Sequence, residues 1–249
     1  MIVLKSPREI ELMRKANYIV AETHAYLADN IAPGISTADI NKLADEFIRN
    51  KNAKPSFKGY KGFPASVCVS INEEVLHGIP DENRILNSGD IVSIDIGTLY
   101  EGFNGDAART HAVGEIDNDV QRLLEVTEKS LLLGIEKAVK GNYLTDISHA
   151  VQKHVESNGF SVVRDYVGHG IGRKMHEDPQ IPNFGPPGRG PILKEGMTLA
   201  IEPMVNMGSH EVKTLSDGWT VVTKDKSYSA HFEHTIAIRD NKVDILSKL

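Results

Sequence analysis

The chain has 249 residues, 40% hydrophobic and 25% charged, which is enough for a globular body with its own core. A formal net charge of -6 with no basic block gives no support for a surface that binds nucleic acid or anionic membranes. One cysteine, Cys68, excludes an internal disulfide and suits a reducing cytosol, and an early-charged N-terminus lacking any long apolar run excludes a secretory signal or a spanning helix.

Ser6-Pro7-Arg8-Glu9 is a capping box with proline at the first helical position. Ile10, Met13, Ala16, Val20 and Leu27 then recur near helical spacing, and Pro33-Gly34 ends that helix. A second helix is predicted from Thr37, with Ile40, Leu43, Ala44, Phe47 and Ile48 on one face. Residues 66–72 alternate like a strand, and residues 91–96 follow as a buried strand after a turn-rich segment. The order then recurs. Helices are predicted over 119–140, closed by Gly141, and over 145–157, stopped by Asn158-Gly159. Strand-like pieces follow at 161–163, 198–202, 220–222 and 231–238. Two helices then strands, twice over, predict an α+β arrangement of one domain, 1–249, with halves of similar build near 1–115 and 116–249.

The stretch 91–110, IVSIDIGTLYEGFNGDAART, organises the rest. Alternation puts Ile91, Ser93 and Asp95 on one face and Val92, Ile94 and Ile96 on the other. A carboxylate in so apolar a segment costs several kcal/mol unless a cation or several donors compensate it. Asp106 follows beyond the turn-rich 97–105. Glu202 ends the apolar strand TLAIE, and His231, Glu233 and Thr235 share one face of SAHFEHTIAI. His169 sits between two glycines and His176 before an acidic turn. Singly, each acid is commonest as a hydrogen-bonded buried group. Together, like charges in a low-dielectric place call for cations. Four carboxylates and one imidazole can hold a pair of divalent ions, and hard oxygen with one nitrogen suits Mn, Fe(II), Co or Zn.

NEEVLHGIP (72–80), GDIVSIDIG (89–97), GDAART (105–110), GHGIGRKMHEDP (168–179), LAIEPM (199–204) and FEHT (232–235) carry a resemblance over essentially the whole chain. The chain resembles the type I methionine aminopeptidases of the short bacterial form. The resemblance implies the pita-bread fold, an antiparallel sheet backed by helices in two pseudo-symmetric halves. It implies Asp95, Asp106, His169, Glu202 and Glu233 as ligands of two divalent ions, with Asp106 and Glu233 bridging. It implies His77 and His176 as substrate contacts and Glu202 as the proton carrier. The methionine pocket it implies is lined by Tyr60, Phe63, Cys68, Met175 and Trp219, with Phe57 departing from the small residue of some bacterial relatives. Asn72 and Ser229 resemble the family's monovalent-cation site. His231 stands where relatives often carry glutamine and has no role assigned, and neither has His234; His24, His111, His149, His154 and His210 read as structural or surface.

The implied activity is removal of the initiator methionine from nascent chains, with a small uncharged second residue preferred, by metal-activated water. The implied partners are N-terminal methionyl peptides near the ribosome, with no DNA and no membrane; the expected state is a cytoplasmic monomer. Two rivals stand beside this reading. Proline-directed peptidases of the same fold usually carry a further N-terminal domain. Binding proteins of this fold have lost ligands that this sequence keeps.

Overall fold

In the computed structural model, which describes residues 1–240 and 242–249, four α-helices and fifteen strands form among the described residues. Helix α1 (Pro7–Ala28) starts where the sequence predicts: the Ser6 hydroxyl accepts from the Glu9 amide, and the Glu9 carboxylate accepts from the Ser6 amide at 3.0 Å. Helix α2 (Thr37–Asn50) uses Ser36 and Asp39 in the same way. Helix α3 (Asn118–Lys137) ends earlier than the predicted residue 140, because the Asn142 side chain donates to the Lys137 carbonyl at 3.0 Å and takes over the helix end. Helix α4 (Leu144–Ser157) follows, its start tied by the Tyr143 amide donating to Asp146.

The strands are β1 (Lys54–Pro55), β2 (Cys68–Ile71), β3 (Glu74–Leu76), β4 (Ile91–Tyr100), β5 (Phe103–Ala112), β6 (Ser161–Val162), β7 (Gly168–Gly170) and β8 (Glu177–Ile181). They continue as β9 (Thr198–Ile201), β10 (Met204–Asn206), β11 (Val212–Thr214), β12 (Val221–Thr223), β13 (Ser229–His231), β14 (His234–Ile238) and β15 (Val243–Ile245). Every pairing among the described strands is antiparallel. β4 pairs with β1, β2 and β5, while a second sheet runs β15-β14-β9-β7-β8. Smaller ladders join β13-β10-β6 and β11-β12-β3.

The strand predicted over 91–96 runs on to Tyr100. The chain then reverses at Glu101 and Gly102, both at positive φ (47° and 82°), which is the backbone a two-residue hairpin needs. Val92, Ile94 and Ile96 pack with Val20, Leu27, Ile40, Ala44 and Ile48, so α1 and α2 cover one face of β4. The opposite face carries Asp95. Likewise α3 and α4 pack Leu123, Leu131, Ile147 and Val151 against Leu199, Ile201, Val205 and Ile236. Helices thus back the sheets and leave the acid-bearing faces free. Among the described residues no helix is long and apolar enough to cross a membrane.

Candidate active site

The β4–β5 hairpin sets the first two acids. Asp95 lies opposite Ala108 and Gly97 opposite Asp106, so Asp95 and Asp106 are diagonal neighbours on one face. A side chain at position 97 has no room: a Cβ there would lie 2.6 Å from Phe57 Cε1 and 2.7 Å from Met175 Cε. Glycine at this position therefore leaves space for the wall of an apolar pocket beside the carboxylates. The Asp106 amide donates to Asn17 of α1 at 3.1 Å, and its carbonyl accepts from Thr235 at 2.8 Å, which fixes the residue from both sides.

Glu202 and Glu233 occupy interruptions in the ladders. β9 pairs with β14 up to Ile201 opposite His234, and β10 pairs with β13 from Met204 opposite His231. Glu202-Pro203 and Phe232-Glu233 lie between. Proline has no N–H to offer a ladder, so pairing lapses there. The Glu233 amide donates instead to the Ala108 carbonyl of β5 at 2.9 Å. The strand predicted over 231–238 is therefore two strands, and the break turns Glu233 toward the aspartates.

His169 comes in on β7, opposite Ala200 of β9. Its Nδ1 lies 2.9 Å from the Gly170 carbonyl, which can only accept, so the ring proton sits on Nδ1. The lone pair of Nε2 then faces Asp106 Oδ2 at 3.8 Å and Glu202 Oε1 at 3.6 Å. Burial holds this imidazole down at about 4, so it is neutral and these are not ion pairs. Burial, above all, pushes the carboxyls of Asp95, Asp106, Glu202 and Glu233 upward; for Asp106 and Glu233 the neighbouring carboxylates push further.

The unused atoms of this donor set suit divalent ions. Asp95 Oδ1, Asp106 Oδ1 and Glu233 Oε1 are buried without a hydrogen-bond partner. Ligand atoms of Asp106, His169 and Glu233 lie within 4.8 Å of one another. Orphaned acceptors, mutual repulsion and an imidazole already oriented by its other nitrogen are the features of a metal centre. The residues fit.

Above this cluster is a cavity of about 160 Å³, lined by Phe57, Tyr60, Phe63, Cys68, Leu76 and Trp219 beside the acids. Met175 is not on its surface; it packs in the same apolar cluster, behind Gly97 and Phe57. Trp219 is held by Asp217, which accepts from the amides of Trp219 and Thr220, and its ring meets Phe63 edge-on at 5.2 Å. Cys68 is buried, and burial together with the nearby carboxylates pushes its thiol up, so it packs as an apolar group. His77 adopts φ 58°, a strained left-handed backbone that costs about 1–3 kcal/mol. Its ring stands edge-on to Trp219 at 6.1 Å. The His176 ring stacks on Tyr60 at 5.3 Å, and its Nδ1 lies 2.8 Å from the Tyr60 hydroxyl. Both histidines are held near 4, mainly by burial. The cavity opens into an outer cleft of about 800 Å³ whose walls include Met1, Val3, Lys5, Lys61, Tyr166 and Arg173.

His231, left without a role by the sequence, is fully buried with Nε2 at 3.5 Å from Glu202 Oε2 and no hydrogen-bond partner. The pairing of β13 with β10 brings it there, and that pairing joins segments remote in the chain. Lys61, which lines both the cavity and the outer cleft, also escaped the sequence reading. His24 is a buried structural residue, with Nε2 2.9 Å from the Ala107 carbonyl. At Asn72 and Ser229, the Asn72 amide side chain is engaged by Asp90 and the Ile91 amide, and the Ser229 amide donates to the Asn72 carbonyl at 2.9 Å.

The model of metallopeptidase family M24 matches residues 11–240. A methionine aminopeptidase of Clostridium acetobutylicum is 58% identical over 99% of both chains, and methionine aminopeptidase 1 of Bacillus subtilis is 57% identical over the whole of both. The crystal structure of the Thermotoga maritima methionine aminopeptidase, 50% identical, superposes over the whole of both chains with a TM-score of 0.99. The α+β, pita-bread architecture expected from the sequence is the one observed. Fold, acid cluster and full-length similarity agree, and the chain belongs to metallopeptidase family M24.

Proposed function

We propose that the chain is a methionine aminopeptidase, cutting the initiator methionine from peptides and nascent proteins with a small second residue. The observation that carries this is an apolar cavity with one end made of four buried carboxylates, three with an unsatisfied oxygen, and the other end open to a cleft. Asp95, Asp106, His169, Glu202 and Glu233 would hold two divalent ions, drawn from Mn, Fe(II), Co or Zn. Such ions, when bound, supply a water acidified toward neutrality and an anchor for the substrate's free amine.

The chain's own groups supply the rest. The aromatic and thioether walls take the methionine side chain and exclude water. Glu202, at the edge of the acid cluster, takes a proton from the attacking water and passes it to the nitrogen of the breaking C–N bond. With the Tyr60 hydroxyl as donor to His176 Nδ1, 2.8 Å away, the proton of this neutral ring would sit on Nε2, free to donate to the oxyanion. His77 contacts the leaving amide nitrogen. Nascent chains as substrates fit work near the ribosome in the cytoplasm, and the chain is taken to act as a monomer.

Hydrolysis of a Met-Ala-Ser peptide in metal-defined buffer tests this reading. Norleucine in place of methionine should survive, while alanine should lose about 1–3 kcal/mol per missing group in the pocket. Blocking the amine should abolish cleavage, and an N-acetylated peptide cut at the free-peptide rate would overturn the proposal. The histidines give a second test. His176→Ala should lower kcat about 100- to 1000-fold, the loss typical of one oxyanion donor. His77→Ala should also lower turnover. Both variants should retain wild-type metal content by elemental analysis; a variant that purifies without metal has lost a ligand, contrary to this division of roles.

A further inference from the structure

His176 lies in a loop, 171–176, that leaves β7 and returns to β8 at Glu177, which pairs with Gly170. Three charged pairs join this region to the N-terminal arm and the start of α1. Two are exposed: the Met1 ammonium with Asp178, and Arg173 with Glu9. Exposed pairs hold little. The third is buried. Lys5 Nζ donates to Glu177 Oε2 at 2.5 Å, with side chains only 4% and 11% exposed. The same ammonium donates to the Val3 carbonyl at 3.2 Å, and the Lys5 amide is anchored on the Gly196 carbonyl at 2.7 Å.

The pair sits inside the loop. Glu177 Oε1 accepts from the Lys174 amide at 3.1 Å, so one carboxylate ties Lys5 to the loop backbone two residues before His176. Gly172 makes the space: a Cβ there would lie 2.5 Å from Lys5 Cε and 2.7 Å from Glu177 Oε1. A buried ammonium persists only where its partner is fixed, and it then fixes that partner in return. His169 is held differently, by its ladder partners on β8 and β9. The two rings touch, with centroids 4.3 Å apart, so loosening the arm should move His176 more than His169, and metal content reads out any change at the latter.

We propose that Lys5, acting through Glu177, is a positioning residue that holds the His176 loop in the geometry used on the scissile carbonyl. The proposal rests on the role given to His176 above. Its test is a cycle on the metal-loaded full chain. Replacing both partners, Lys5→Met with Glu177→Met, removes the pair without leaving a buried charge. This double variant should keep its metal content and lose about 10- to 100-fold in kcat, as a misplaced catalytic group does, with KM changing less. In a His176→Ala background the same double substitution should change kcat by less than about twofold, because the group it positions is gone. Lys5→Met with Glu177→Gln, which also leaves no buried charge but keeps an acceptor for the Lys174 amide, is the milder second variant for the same cycle and should show a smaller loss with the same dependence on His176.

An unchanged kcat in the double variant overturns the proposal. So does an equal loss with and without His176, which would make the pair a general brace. A His176→Ala enzyme as active as wild type overturns the role of His176 itself, a failure distinguishable from the other two.

Discussion

Asp106→Asn and Glu233→Gln are each expected to lower turnover by at least about 100-fold, since groups that merely orient a ligand already cost 10- to 100-fold in metal affinity. Both acids are buried, and each presents an oxygen that nothing in the protein satisfies. An amide oxygen is a weaker ligand than a carboxylate and carries no charge. Metal content should fall with activity. The fold should not. The backbone at each position is fixed by bonds the substitution keeps, from Asp106 to Asn17, from Thr235 to Asp106 and from Glu233 to Ala108. Repulsion among four acids also costs the metal-free fold stability, and a neutral isostere removes part of that cost. Metal-free Glu233→Gln should therefore melt no lower than the metal-free wild type near pH 8. Wild-type turnover and metal content in either variant would remove that acid from the centre.

The second large effect is on pH. Burial pushes the carboxyls of Asp95, Asp106, Glu202 and Glu233 above the ordinary carboxylate range. Between about pH 4 and those raised values the metal-free folded state binds more protons than the unfolded chain, so this cluster's contribution to stability falls as pH rises. Divalent ions must displace those protons and then relieve the repulsion. Apparent metal affinity should therefore climb by up to about tenfold per pH unit for each proton displaced. The rise in Tm on adding Mn should be larger near pH 8 than near pH 5.5 by the same linkage. His169, already neutral above about 4, does not compete in this window. A chelator should stop turnover while circular dichroism stays folded, because the helix-backed cores contain none of the acids. An increment in Tm that is flat or shrinks with pH would refute the linkage.

Much of this was legible in the sequence, and the exceptions have physical reasons. Capping boxes fix helix starts locally, so α1 and α2 begin where Ser6 and Ser36 place them. The α3 end was misjudged because the cap comes from Asn142, beyond the helix. β4 outran its predicted end at 96 because Gly97 and Thr98 weaken a period-two pattern that the hairpin partner then restores. β7, β11 and β15 are three residues each, too short for any period to show. The five metal-binding candidates were readable through motifs. The placement of His231 and Lys5 was not, because each depends on a contact with residues remote in the chain, Glu202 and Glu177.

The bond from the Glu233 amide to the Ala108 carbonyl has a consequence for the order of assembly. The β4–β5 hairpin is a local structure and can close soon after residue 112 is made. Its two aspartates then wait. Glu233 reaches them only when β14 docks beside β9, with Thr235 closing on the Asp106 carbonyl. At ribosomal speeds of about 5–20 residues per second, the interval is many seconds. Throughout it the chain has two of its acids in place and no finished centre. Each molecule therefore lacks a finished centre until β14 docks, a long-range pairing that needs residues made late in its own synthesis.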